Sequence, residues 1–165
     1  MTPQPIHITR QGQQWTLRME QWLALPPEEL FDFFADAHNL EQITPPTVRF
    51  NIITPPPIDM HAGTLIQYKL RVHGLPIRWT TRIDTWDPPR QFVDTQLKGP
   101  YKRWHHTHTF EPKDGGTLCR DTVQYQPPGG PLAPLINKLA VQRDVENIFR
   151  YRAQQLDKRF NKPQD

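Results

Sequence analysis

The sequence predicts an α+β fold. A seven-stranded, curved antiparallel sheet wraps around a long C-terminal helix, and two short helices follow the first strand. Three patterns carry this expectation. Six strand-like runs follow one another between residues 47 and 126, separated by short turn-forming segments. Two proline-bounded helical patterns stand before them, and one long amphipathic pattern closes the chain over 131–160. Such a helix must bury its apolar stripe, and a curved antiparallel sheet is the partner this order provides.

The elements follow in order. Residues 4–25 carry β-branched and aromatic residues in partial alternation and read as one long or interrupted strand. The segment LPPEELFDFFAD then reads as a helix. Pro26 and Pro27 suit its start, Glu28 and Glu29 complement its dipole, and Leu30, Phe31, Phe33 and Phe34 supply a buried face. The segment AHNLEQITPP reads as a second short helix stopped by Pro45 and Pro46. Strands are expected at 47–53, 64–72, 75–86, 91–98, 102–112 and 117–126. In the last helix, Leu132, Leu135, Leu139, Phe149, Ala153, Leu156 and Phe160 form the apolar stripe, with Ile136 and Ile148 at its margins. Lys138, Asp144, Glu146, Arg150 and Lys158 occupy the other side.

Composition narrows the function classes. The chain has 165 residues, the length of a single domain over 1–165. It is 36% hydrophobic with a mean hydropathy of −0.73, and no apolar run approaches the length of a membrane span. No stable membrane insertion is expected. The start, MTPQPIHITRQGQQW, lacks the apolar core of a signal peptide. Cys119 stands alone, so neither a disulfide nor a CxxC site is available, and a reducing cytoplasm is the expected compartment. The net charge of +3 is not concentrated into a basic stripe, so nucleic-acid binding is not expected. No GxSxG, P-loop or GxGxxG motif occurs, and no cofactor is expected.

The most unusual stretch is RWHHTHTF, 103–110, which places three of the seven histidines within four positions. Turn lengths fix what faces them. With His73-Gly74 as a two-residue turn, Tyr68 faces Trp79 and Ile66 faces Thr81. With DPPR as a four-residue loop, Trp86 faces Gln91. With GPY as a three-residue loop, Lys98 faces Lys102, so Gln96 faces Trp104, Asp94 faces His106 and Phe92 faces His108. With KDGG as the last loop, Phe110 faces Cys119, His108 faces Asp121, His106 faces Val123 and Trp104 faces Tyr125. His106 and His108 then point toward the helix, with Asp94 the expected partner of His106 and Asp121 of His108. Directly opposed side chains lie about 4.5–5.5 Å apart at Cβ, within reach of a hydrogen bond. His105 has the opposite parity and faces out.

The order of elements and several segments resemble the SRPBCC superfamily, also described as START or Bet v 1-like. Within it, the chain is similar to small stand-alone proteins of the cyclase/dehydrase-like branch. The segments are LPPEELFDFF, NLEQITPP, GTLIQY, PIRW, WDPPRQFVD, GPYKRWHHTHTF, GTLCRDTVQY and IFRYRAQQL, together spanning about residues 14–160. The resemblance implies a helix-grip fold with an internal apolar pocket. It carries no shared catalytic set.

Three functions fit these residues. The first is reversible binding of a hydrophobic or aromatic small molecule, for carriage or sensing. Tyr68, Trp79, Thr81, Phe92, Trp104, Phe110 and Tyr125 would supply the wall, and Asp94, Gln96, His106, His108 and Asp121 the polar anchors. The second is a cofactor-free enzyme of the polyketide cyclase or dehydrase type, with His106 and His108 as acid and base and Asp94 and Asp121 orienting them. The third is an accessory protein that presents a surface to a partner. A metal held by the H-x-H pair lacks a third histidine or a cysteine, and none is expected.

Overall fold

The computed structural model describes residues 5–161. Its sheet has eight strands, not seven, in the order β1-β2-β8-β7-β6-β5-β4-β3, every neighbouring pair of defined register antiparallel. The extra strand comes from the N-terminal segment, which is a hairpin of β1 (Ile6–Gln11) and β2 (Gln14–Leu23) rather than one strand. Gly12, at φ 62, lets the chain reverse in two residues, and Gln11 pairs with Gln14 across the turn.

Two helices follow, α1 (Pro27–Ala35) and a single turn, α2 (Asn39–Gln42). Leu30 and Phe31 of α1 are buried against β6, β7 and β8, where Phe31 packs edge-on against Phe92 and Phe110. The strand expected at 47–53 shrinks to β3 (Asn51–Ile52), because Pro46–Val48 forms a 3₁₀ turn and Arg49 adopts a left-handed conformation.

The remaining strands are β4 (Leu65–Val72), β5 (Leu75–Asp87), β6 (Gln91–Lys98), β7 (Arg103–Lys113) and β8 (Gly116–Gln126). The β4–β5 register has Tyr68 opposite Trp79 and Ile66 opposite Thr81, as the His73-Gly74 turn requires. The β7–β8 register also follows the expectation, from Trp104 opposite Tyr125 to Pro112 opposite Thr117. Two turns differ from expectation. A register shift between Ile83 and Thr85 places Trp86 opposite Phe92, so β5 extends to Asp87 and the loop loses a residue. The β6–β7 ladder ends at Thr95–His105, so Lys98 does not pair with Lys102 and Gln96 does not pair with Trp104. There the Gln96 amide takes over, donating to Tyr101 O at 2.7 Å and accepting from Tyr101 N at 3.3 Å.

The C-terminal helical region is not one regular helix. A short α3 (Ala133–Ile136) passes through a π-helical turn at Asn137–Val141 into α4 (Gln142–Phe160). A π-turn changes the angular phase of everything beyond it. The apolar stripe expected from Leu132, Leu135 and Leu139 is therefore a correction, since these leucines are exposed at 63%, 55% and 71%. The face that packs on the sheet holds Val145, Phe149, Arg152, Ala153 and Leu156. Val145, Phe149 and Ala153 join Trp15, Leu17, Met19, Val123 and Tyr125 in one buried cluster. Gln21 Nε2 ties β2 to α4 by donating to Ala153 O at 2.8 Å.

Candidate functional site

The main core lies at the β1-β2-β8 side of the sheet, and α1 closes the end near Phe110. Between the rest of the sheet and α4 is a cavity of about 290 Å³. Strand alternation supplies its floor from β4, β5, β6 and β7, α1 and α2 form one end, and α4 supplies the roof.

The structure places Tyr68, Trp79, Thr81, Phe92, Asp94, Trp104, His106 and His108 on the cavity wall. It places four other sequence-derived residues elsewhere. Phe110 packs among Phe31, Phe34 and Phe92. Tyr125 is wholly buried in the main core, stacked on Trp15. Gln96 braces the β6–β7 loop. Asp121 stands behind the two histidines as their partner rather than on the wall.

At the polar part of the wall, the two imidazoles lie side by side with ring centres 3.6 Å apart and planes tilted by 35°. Asp94 stands opposite His106 and Asp121 opposite His108 in the strand register. The hydrogen bonds nevertheless run diagonally. His106 Nε2 donates to Asp121 Oδ1 at 2.8 Å, and His108 Nε2 donates to Asp94 Oδ2 at 3.0 Å. Imidazole side chains are long enough to reach the diagonal neighbour, which one-to-one pairing from register overlooks. His108 Nδ1 also lies 3.1 Å from Asp121 Oδ1, whereas His106 Nδ1 is 3.7 Å from Asp94 Oδ2.

These distances assign charge. A carboxylate can only accept, so His108, with a carboxylate close to each nitrogen, carries both protons as imidazolium. His106 has one short partner and keeps a free lone pair on Nδ1. The titration behaviour agrees. Burial pulls both rings toward neutrality, but in His108 it is outweighed by Asp121 and Asp94, which raise its pKa above 6.5. In His106, burial and the neighbouring His108 charge win, and its pKa falls to about 4. Burial opposes ionisation of both carboxylates as well. His106 and His108 hold Asp121 far below the usual range regardless, and His108 and then His106 hold Asp94 below it.

Asp94, His106 and His108 present potential ligand atoms within 4.8 Å of one another, a spacing a cation could use. Both Nε2 atoms, however, already donate to carboxylates, so a metal would have to displace the protons that hold the cluster together.

The rest of the wall is mostly apolar. Trp79 meets Trp104 edge-on at 5.5 Å and stacks with Tyr68 at 5.8 Å. The Trp79 Nε1–H donates to Thr81 Oγ1 at 3.3 Å, and Tyr68 Oη lies 3.5 Å from the same hydroxyl. Burial, then the Asp94 charge, push the Tyr68 phenol well above its ordinary pKa, so it stays protonated. The sequence reading missed the contributions of the helices. Phe33 and Phe34 of α1 and Ile148, Phe149 and Arg152 of α4 all line the cavity. Phe149, Ala153 and Leu156 of the expected stripe are buried as expected, while Val145 and Arg152, which complete that face, fall outside a phase anchored on the leucines before the π-turn.

Solved structures share this architecture. The protein TTHA0849 from Thermus thermophilus matches with a TM-score of 0.64 at 22% identity, covering 87% of this chain and 98% of its own. Protein CV1439 from Chromobacterium violaceum matches with a TM-score of 0.69 at 15% identity, over 90% and 98%. Ginseng major latex-like protein 151 from Panax ginseng matches with a TM-score of 0.56 at 16% identity, over 82% and 97%. At such identities the likeness shows the fold alone. The fold agrees with what a sequence profile shows over residues 23–150, that the chain is a member of the SRPBCC superfamily. More narrowly, the chain belongs to the family described as polyketide cyclase / dehydrase and lipid transport, whose sequence profile matches residues 23–150. No curated protein sequence matches it. Among the described residues, no helix is long and apolar enough to cross a membrane.

Proposed function

We propose that the chain is a single ligand-binding domain that reversibly holds a lipophilic or aromatic small molecule between its sheet and α4, as a carrier or sensor. The observation that carries this reading is the cavity, about 290 Å³, walled mainly by aromatic and aliphatic side chains with a few polar groups among them. Sites for small organic molecules have this composition, with volumes from roughly 300 Å³ upward. Membership of a family described by cyclase, dehydrase and lipid-transport activities supports an apolar ligand. The lone, buried Cys119 suits a reducing compartment such as the cytoplasm.

The test is a titration with N-phenyl-1-naphthylamine, an uncharged apolar dye that fluoresces when desolvated. Wild type should bind it saturably at one site. Thr81→Trp, which fills the cavity floor, should abolish binding while the protein remains folded by circular dichroism. Equal binding by both proteins would place the dye outside the cavity and defeat the proposal.

A second reading has its own observation in favour. His108 is held protonated and His106 neutral, side by side on the cavity wall, and such divergence separates an acid from a base. A cyclase- or dehydrase-type reaction on a carbonyl substrate would use His106 Nδ1 to take a proton from carbon, with the His108 imidazolium, both of whose N–H groups are held by carboxylates, stabilising the negative charge that develops. Turnover of polyketide-like carbonyl substrates that disappears in His106→Ala supports it, and turnover that persists rules it out.

A further inference from the structure

Arg152 is a charged cavity-wall side chain whose chemistry the reading above leaves unused. It sits on α4 three residues after Phe149, is only 8% exposed, and lines the cavity. A guanidinium carries five N–H donors and stays charged at any ordinary pH. Among the described residues, none of these donors makes a hydrogen bond to protein, and Nε is fully buried without a partner. Asp94 is near enough to feel its charge but does not form an ion pair with it. Its guanidinium lies over the Phe149 ring, with Cζ 5.0 Å from the ring centre. A buried charge with idle donors is costly, and ordinary folds avoid it.

We infer that Arg152 is the anchor for an anionic group on the ligand, so that the site takes acidic lipophilic molecules, carboxylates above all, in preference to their neutral counterparts. The inference rests on the cavity being a ligand site and specifies which ligands it takes. The guanidinium fork matches the two oxygens of a carboxylate, and a carboxylate there would satisfy donors that the protein leaves open. The charge balance permits it. Asp94 and Asp121 face one imidazolium, and Arg152 cancels the remainder of that cluster, while the wall's other carboxylates, Asp36 and Asp144, lie at its more exposed parts beside His38 and His73. Asp94 marks the opposite pole. An acidic ligand is thereby oriented with its anion toward α4 and its apolar body toward Trp79 and Trp104.

The alternative is that Arg152 exists only to balance Asp94 at a distance. Two dyes with the same ring system separate these roles. N-phenyl-1-naphthylamine is neutral, and 8-anilinonaphthalene-1-sulfonate adds one sulfonate. Wild type should bind the sulfonate about 10- to 100-fold more tightly, the range expected of a charge-assisted hydrogen bond. Arg152→Gln should erase that preference, bringing its affinity for the sulfonate down to its own affinity for the neutral dye. Arg152→Lys, which keeps the charge and loses the fork, should fall between them. Equal affinity of wild type for the two dyes overturns the inference even if no variant folds. A preference that survives Arg152→Gln also overturns it, as does a variant that loses stability while its preference stays intact. If wild type binds neither dye, or Thr81→Trp binds both normally, the ligand site itself fails and the inference falls with it.

Discussion

The paired histidines of the cavity wall make a quantitative statement about acid stability. In the unfolded chain His106 titrates near 6.5, and in the folded protein near 4. The folded state therefore refuses a proton that the unfolded state accepts. Stability from this group is intact above pH 6.5 and is lost as pH falls from 6.5 toward 4. A difference of that size corresponds to about 3 kcal/mol. His108 has the opposite sign, because its pKa is raised in the fold, so its contribution is full below pH 6.5 and is lost as pH rises through the folded value. The two together place the stability maximum near pH 6–7. The perturbation is His106→Gln, whose amide retains a donor toward Asp121 but cannot titrate. Urea unfolding followed by tryptophan fluorescence at pH 7 and pH 4.5 gives the free energy at each. Wild type should lose about 2 kcal/mol more than the variant over that interval, which stops short of the folded value near 4. Parallel losses would mean that His106 is not held neutral, and the charge assignment built on its 3.7 Å distance from Asp94 would collapse.

Three further outcomes follow from the same geometry. Asp121→Asn removes the negative charge shared by both imidazoles and leaves His108 with one carboxylate, so it should cost about 3 kcal/mol or more. Calorimetry would register this as a fall of roughly 6–12 °C in Tm for a domain of this length. Phe149→Ala removes a ring that packs in the main core and against His106 at 5.4 Å, and should cost about 3–5 kcal/mol by urea titration while enlarging the cavity. Dialysis against a strong chelator should leave the Tm unchanged, since the cluster's Nε2 atoms are held by carboxylates; a drop of several degrees, restored by one divalent metal, would make the cluster a metal site.

Local turn chemistry made most of the sheet readable. His73-Gly74 and Asp114-Gly115 both adopt positive φ, as tight hairpin turns require, and each carries the register of the strands it joins. Where register was lost, the cause lay outside such turns. The shift near Asp84 is an irregularity inside β5, and nothing in the alternation of Ile83 to Trp86 announces it. The β1–β2 turn is hidden among glutamines that look like a pause in one strand. The longest-range error came from the π-turn at Asn137–Val141, which uncouples the leucines before it from the stripe after it. Arg152 was concealed by that same shift of phase, and its meaning depends on what it fails to touch, which no single sequence shows. The histidine–carboxylate cluster was readable as a group because register fixes proximity, while the diagonal bonding depends on side-chain reach.

The most direct measurement is mass spectrometry on freshly purified protein, first native and then after organic extraction. A stoichiometric lipophilic compound, bound in the native spectrum of wild type and missing from Thr81→Trp, is the expected finding, and an acidic group on it would join the cavity to Arg152. A compound retained equally by Thr81→Trp, or an empty wild type that also binds no apolar dye, would show that the cavity between the sheet and α4 is not where this protein works.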